Sequence, residues 1–243
     1  MWSHFTIQFQ TAPHTPPPYC YQCITQVRSL TNYLSIQVRI HYFGRASLTE
    51  EEIIAEGFSI EDDFDWEGTL PYTWLKVFQN LLQQTTWVDS PQEQDYLAII
   101  SDEGKTLFPR EATTWEMTFQ ELLQAVHELG ESGGLTEIQF LAVRKSSKKQ
   151  RITLHPRFAT REVTVLMTSN TAKRKIPWST FHQLMIQLHT LTLQDAQAYK
   201  KPPHQEGYYI NYGDGPWYLI GKKTEVDAIN TVKRLFNEME LIK

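Results

Sequence analysis

Ten lysines and arginines stand between Arg144 and Trp178 against a single acid, Glu162, a net charge of +9 in a chain whose overall charge is −5. They are Arg144, Lys145, Lys148, Lys149, Arg151, Arg157, Arg161, Lys173, Arg174 and Lys175. The residues before this stretch hold six basic and twenty acidic side chains, and those after it hold seven of each. A cationic island in an acidic protein is a statement about partners, and the chemistry it offers is neutralisation of phosphate or another polyanion.

Residues 151 to 158 alternate in the manner of a strand, turning Ile152, Leu154 and Phe158 inward and Arg151, Thr153, His155 and Arg157 outward. If neighbouring strands pair, Lys148, Lys149, Arg161 and a turn at Lys173, Arg174 and Lys175 lie beside that row. Such a row can supply most of a non-specific nucleic-acid affinity. Strand edges also carry lysine for solubility and to block edge pairing, which gives the same composition with no ligand at all. Further along, Tyr208, Tyr209, Tyr212, Trp217 and Tyr218 crowd one segment. On an open sheet face Tyr209 or Tyr218 would stack on bases, and single-stranded nucleic acid is then the first partner. In a core they would be cross-strand pairs.

Other chemistry-bearing residues lead less far. Cys20 and Cys23 form one C-x-x-C, but a structural zinc needs four ligands, and His4, His14 and His41 show no paired spacing to complete them. The context reads as a strand, so the thiols are expected to be small buried hydrophobes. Asp63, Asp65, Glu67 and Gly68 begin like a calcium loop, yet the ninth position is Pro71 and the twelfth, which should be a bidentate carboxylate, is Trp74. His127, His182 and His189 fall on expected helices, with no nucleophile assigned to them. Zincin, Walker and dinucleotide fingerprints are absent. The reading is of a non-enzymatic protein without a cofactor or a metal.

The elements that would position these groups follow from periodicity. Phe5, Ile7 and Phe9 alternate with polar residues as in a half-buried strand, and 19–28 and 32–43 read as an antiparallel pair with Leu34, Ile36, Val38, Ile40 and Tyr42 on one face. Ser47 with Glu50 and Thr49 with Glu52 have capping-box spacing, so a short helix starts near Leu48 and stops at Gly57. Residues 61–71 read as an acidic loop. Pro71 opens a helix whose apolar rows are Leu75, Phe78, Leu82 and Trp74, Val77, Leu81. A hairpin spans 96–108 around Asp102, Glu103 and Gly104, and a helix spans 118–129. Residues 135–143 are apolar on both faces, which marks a central strand. Strands at 151–158 and 161–168 precede a helix running from Pro177 to about Leu193. A polar link ends in Lys200, Lys201, Pro202 and Pro203 as a hinge, followed by a hairpin at 208–220 and a helix over 224–240.

Strands followed by a helix thus recur at 19–84, 95–129, 135–193 and 207–240. Helices 118–129 and 181–191 also share apolar positions at an offset of 62, with Thr118/Thr180 and His127/His189 coinciding. This predicts an α+β fold of antiparallel sheets, each covered on one face by helices and built from repeated strand-strand-helix units. The expected division is an acidic half, 1–131, and a half bearing the basic strip, 132–243. The order of elements resembles that of PUR repeats, and that resemblance implies binding of single-stranded nucleic acid on an uncovered sheet face. A rival expectation is an interaction protein whose basic segment pairs with the acidic half or with a second subunit. No apolar run approaches the roughly 18 residues of a membrane helix, and the first residues lack an export signal, so the expected location is the cytoplasm.

Overall fold

The computed structural model describes residues 3–91, 96–130, 137–144, 149–168, 170–189, 198–213, 215–220 and 226–241. It divides into two compact units, Met1–Ser132 and Gly133–Lys243. Both are α+β, with antiparallel sheets carrying helices on one face.

In the first unit the order is β1 (His4–Gln10), β2 (Tyr21–Ser29), β3 (Tyr33–Tyr42), a 3-10 turn at Arg45–Ser47, α1 (Glu50–Ala55), β4 (Phe64–Pro71), α2 (Tyr72–Gln84), β5 (Trp87–Val88), β6 (Tyr96–Ser101), β7 (Thr106–Pro109) and α3 (Ala112–Leu129). The seven-stranded sheet runs β4-β3-β2-β1-β6-β7-β5. Alternation does what the sequence leads one to expect: Phe5, Ile7, Phe9, Cys23, Val27, Leu34, Ile36 and Val38 are buried on one face. The two long helices cover that face, with Phe5 edge-on to Phe78 of α2 at 5.4 Å and Phe9 against Phe119 of α3 at 5.4 Å. Thr49 and Glu52 form the reciprocal capping box of α1. Gly104, at φ 79, supplies the left-handed residue of the β6–β7 turn.

From residue 64 to residue 71 the stretch read as an acidic loop is a strand, and only residues 61–63 stay outside it. Phe64, Trp66 and Leu70 alternate with Asp65, Glu67 and Thr69, and the segment pairs with β3 over its whole length, Gly68 opposite Ile36 and Asp65 opposite Arg39. Gly68 hides the pattern, because its place on the covered face is filled by the Trp66 ring, which a Cβ there would approach to 2.4 Å. Helix α3 begins at Ala112 rather than Thr118, which lets Trp115 reach the core.

In the second unit the order is β8 (Ile138–Val143), β9 (Lys149–Arg157), β10 (Glu162–Met167), β11 (Asn170–Ile176), α4 (Trp178–His189), β12 (Gly207–Asn211), β13 (Tyr218–Ile220) and α5 (Val226–Leu241). Its sheet runs β11-β10-β9-β8-β12-β13. β8 is interior and buried on both faces, as its unbroken apolar run requires. Helices α4 and α5 lie over the face that holds Ile152, Leu154, Val163 and Val165, with Phe158 against Phe181 at 6.0 Å and Tyr208 against Phe236 at 6.1 Å. Lys173, Arg174 and Lys175 do not form a turn: they lie in β11, an edge strand whose charges mask its alternation.

Each sheet is a four-strand meander followed by a helix, then a hairpin followed by a helix. Both meanders end in an aliphatic residue and a proline, Leu70-Pro71 before α2 and Ile176-Pro177 before α4. The offset of 62 therefore pairs α3, which follows a hairpin, with α4, which follows a meander. That coincidence is amphipathic spacing, which any two such helices share.

Candidate polyanion interface

The register of the second sheet decides which cations meet. Arg157 lies opposite Glu162, His155 opposite Thr164, and Thr164 opposite Lys175. On the other side of β9, Arg151 lies opposite Leu141 and Lys149 opposite Val143. Cross-strand partners share a face, so Lys149, Arg151, His155, Arg157 and Lys175, with Lys173 two residues before it, all sit on the face away from the helices. Lys149, Arg157, Lys173 and Lys175 are exposed, while Arg151 and His155 are half-buried.

Other nominated cations are elsewhere. Arg174 alternates to the helix-covered face opposite Val165, with a buried side-chain nitrogen. Arg161 adopts a left-handed φ of 55 in the β9–β10 turn and places its guanidinium 4.8 Å from the Trp178 ring centroid, a cation–π contact with α4. Lys148 lies outside the described residues, as does Lys145.

Two carboxylates temper the row. Lys175 Nζ donates to Glu162 Oε1 at 2.6 Å. That bond first, and the nearby Arg157 charge after it, hold the Glu162 carboxyl below its usual range. Glu137, just before β8, lies 3.9 Å from His155 Nδ1 and accepts a hydrogen bond from the Gln139 side chain. The sequence flagged Glu162 but gave no hint of Glu137, whose neighbourhood comes from the β8–β9 register.

The aromatic residues do not form a stacking platform. Tyr209 shares the face of the cations yet is 1% exposed. Its ring is held edge-on by Tyr199 at 5.6 Å, and its hydroxyl donates to the Gln205 carbonyl at 3.1 Å. Burial pushes its phenol pKa up. Tyr199 and Trp217 exchange two backbone hydrogen bonds of 2.8 Å, and Leu141, Val143, Tyr209 and Trp217 form a small apolar core on this face. Tyr199, just before the residues read as a hinge, thus forms a cover over β8 and β12. Tyr218, opposite Ile210, points to the helix-covered side. At the border Arg151 lies 5.4 Å from the Trp217 ring centroid, so its guanidinium is steadied by the cover that hides the tyrosine.

Cys23 is fully buried, and burial pushes its thiol up to about 12; Cys20 is buried too, with its thiol donating to the Thr15 carbonyl at 2.6 Å. Among the described residues no group of three or more His, Cys, Asp or Glu side chains is placed to hold a metal, and no helix is long and apolar enough to cross a membrane.

The first unit offers a feature that periodicity alone did not single out. A shallow depression of about 700 Å³ on its uncovered face is lined by His4, Gln26, Arg28, Gln37, Glu67 and Asp102 among others. Its signal was present as the polar positions of β1 to β4, but their convergence depends on register. Its lining sets the single cation Arg28 against two carboxylates, Glu67 and Asp102, which suits it less to a polyanion than the second sheet.

Compared with family models, curated proteins and solved structures, the chain matches none. The likeness to PUR repeats in element order accordingly has no matching structure beside it.

Proposed function

We propose that the protein binds a polyanion, single-stranded nucleic acid first, on the uncovered face of β9, β10 and β11, without catalysis. The observation that carries this reading is the cross-strand placement of Lys149, Arg151, Arg157, Lys173 and Lys175 on one face, against Glu137 and Glu162. Five cations against two carboxylates leave a surface that attracts phosphate even though the whole chain is acidic. With Tyr209 buried and Tyr218 turned away, the contacts are to the backbone, so binding is indifferent to base sequence.

The test is binding of a labelled single-stranded oligonucleotide to protein freed of nucleic acid, compared with Arg157→Glu and Lys173→Glu variants. Each reversal is expected to weaken binding by about tenfold at low salt. Equal affinity in wild type and both variants would place the ligand elsewhere or remove it.

A further inference from the structure

Strands β4 and β11 hold the same position in their two sheets. Each is the fourth strand of a meander, pairs along one side only, and runs into a proline-led helix. Among the described residues no strand pairs with the outer edge of either. An unpaired edge of eight residues in β4 or seven in β11 is a template for another strand.

Their charges are opposite. On the face away from the helices β4 presents exposed Asp65 and Glu67, and β11 presents exposed Lys173 and Lys175. Two β4 edges brought together would oppose acid with acid, and two β11 edges cation with cation, both unfavourable. Only β4 with β11 matches. We infer that β11 of one copy of this chain adds antiparallel to β4 of a second copy, extending the sheet from one molecule into the next.

An antiparallel register that sets Glu67 opposite Lys173 also sets Asp65 opposite Lys175. Charges then alternate across the joined sheet: Arg39, 3.3 Å from Asp65 within one copy, then Asp65, then Lys175 of the other copy, then Glu162, 2.6 Å from that lysine. On the opposite face the half-buried Phe64 and Ile176 come together, giving the contact an apolar component. The interface is heterologous, so each end of the pair keeps one free edge, and growth continues past the dimer unless the arrangement closes.

The experiment is sedimentation velocity on nuclease-treated protein free of nucleic acid, which makes the outcome independent of polyanion binding. Wild type is expected to self-associate at low salt and to dissociate as salt rises. Glu67→Lys sets a cation opposite Lys173 and Lys173→Glu sets an acid opposite Glu67, so each alone turns one of the two charge pairs repulsive and should weaken association by about tenfold or more. An equimolar mixture should recover it, because each variant supplies the edge the other lacks. Glu67→Gln and Lys173→Gln, which remove charge without reversing it, should fall between. Wild type that stays monomeric at low salt, single reversals that associate as wild type does, or a mixture no larger than its components would each overturn the inference.

Discussion

Arg45 donates to the Asp62 carboxylate at 2.8 Å and to the Ser59 carbonyl at 2.6 Å, while its guanidinium lies 4.1 Å from the Tyr42 ring centroid and 5.1 Å from that of Phe58. With side-chain exposures of 10% and 27%, the pair is sheltered enough to matter. It ties the excursion that carries α1 back to the end of β3 and sets where β4 begins. Arg45→Ala, by leaving Asp62 half-buried without its partner, is expected to cost about 2–4 kcal/mol. Arg45→Lys should recover little, since an ammonium neither forks nor stacks flat on a ring. Urea unfolding of the three proteins measures both, and an alanine variant within about 0.5 kcal/mol of wild type would show the pair to be ornamental.

Acid should loosen the same excursion. Burial alone would raise the Asp62 carboxyl, but hydrogen bonds from the Ser59 hydroxyl and amide, with Arg45, outweigh it and hold the group below its ordinary value. A depressed carboxyl adds stability above the unfolded-state pKa and loses it as pH falls through the folded-state value. Wild type is therefore expected to lose more stability on acidification than Asp62→Asn, measured as the difference in unfolding midpoint between neutral and acid buffer. Parallel pH profiles would contradict the assignment.

Tyr209 should behave as a core residue. Tyr209→Ala is expected to destabilise the second unit by about 3–4 kcal/mol. Gly207→Ala should be destabilising as well, because its Cβ would lie 2.8 Å from Leu219 Cδ1 and 3.2 Å from the Tyr209 ring and hydroxyl. Thermal unfolding reads both. A Tyr209→Ala protein of unchanged stability but reduced oligonucleotide affinity would restore this ring to the binding surface.

Glu162 is predicted to restrain binding. Glu162→Gln removes the negative charge that pairs with Lys175 and lies beside Arg157. Oligonucleotide affinity should rise about three- to tenfold at low salt, an effect of screened charges at the surface. Unchanged or weaker binding, measured by anisotropy, would argue that these cations do not touch the ligand.

Much of this architecture was readable because local rules and tertiary demands agree. The alternation of Leu34, Ile36, Val38 and Ile40, the Thr49–Glu52 box, Pro71 and Gly104 each act within a few residues. What resisted reading is non-local. β4 looks like an acidic loop because an edge strand solvates one side, and Trp66 rather than a side chain at Gly68 fills the other. β11 looks like a basic turn for the same reason. The basic row was legible along β9, but its junction with Lys175 depends on register across β10, and its partial neutralisation by Glu137 depends on register with β8. The cover formed by Tyr199 rests on a two-residue bridge to Trp217, which leaves no periodic trace.

The salt dependence of oligonucleotide binding decides whether the uncovered face of β9, β10 and β11 neutralises phosphate. Counterion release from a single strand gives a slope in log affinity against log salt of about −0.7 for each phosphate neutralised, so the uncovered cations predict about −2 to −3.5. The Arg157→Glu and Lys173→Glu double variant should lower that magnitude by at least one. A slope near zero, no detectable binding at low salt, or a double variant with the wild-type slope would contradict a phosphate-binding face on β9, β10 and β11.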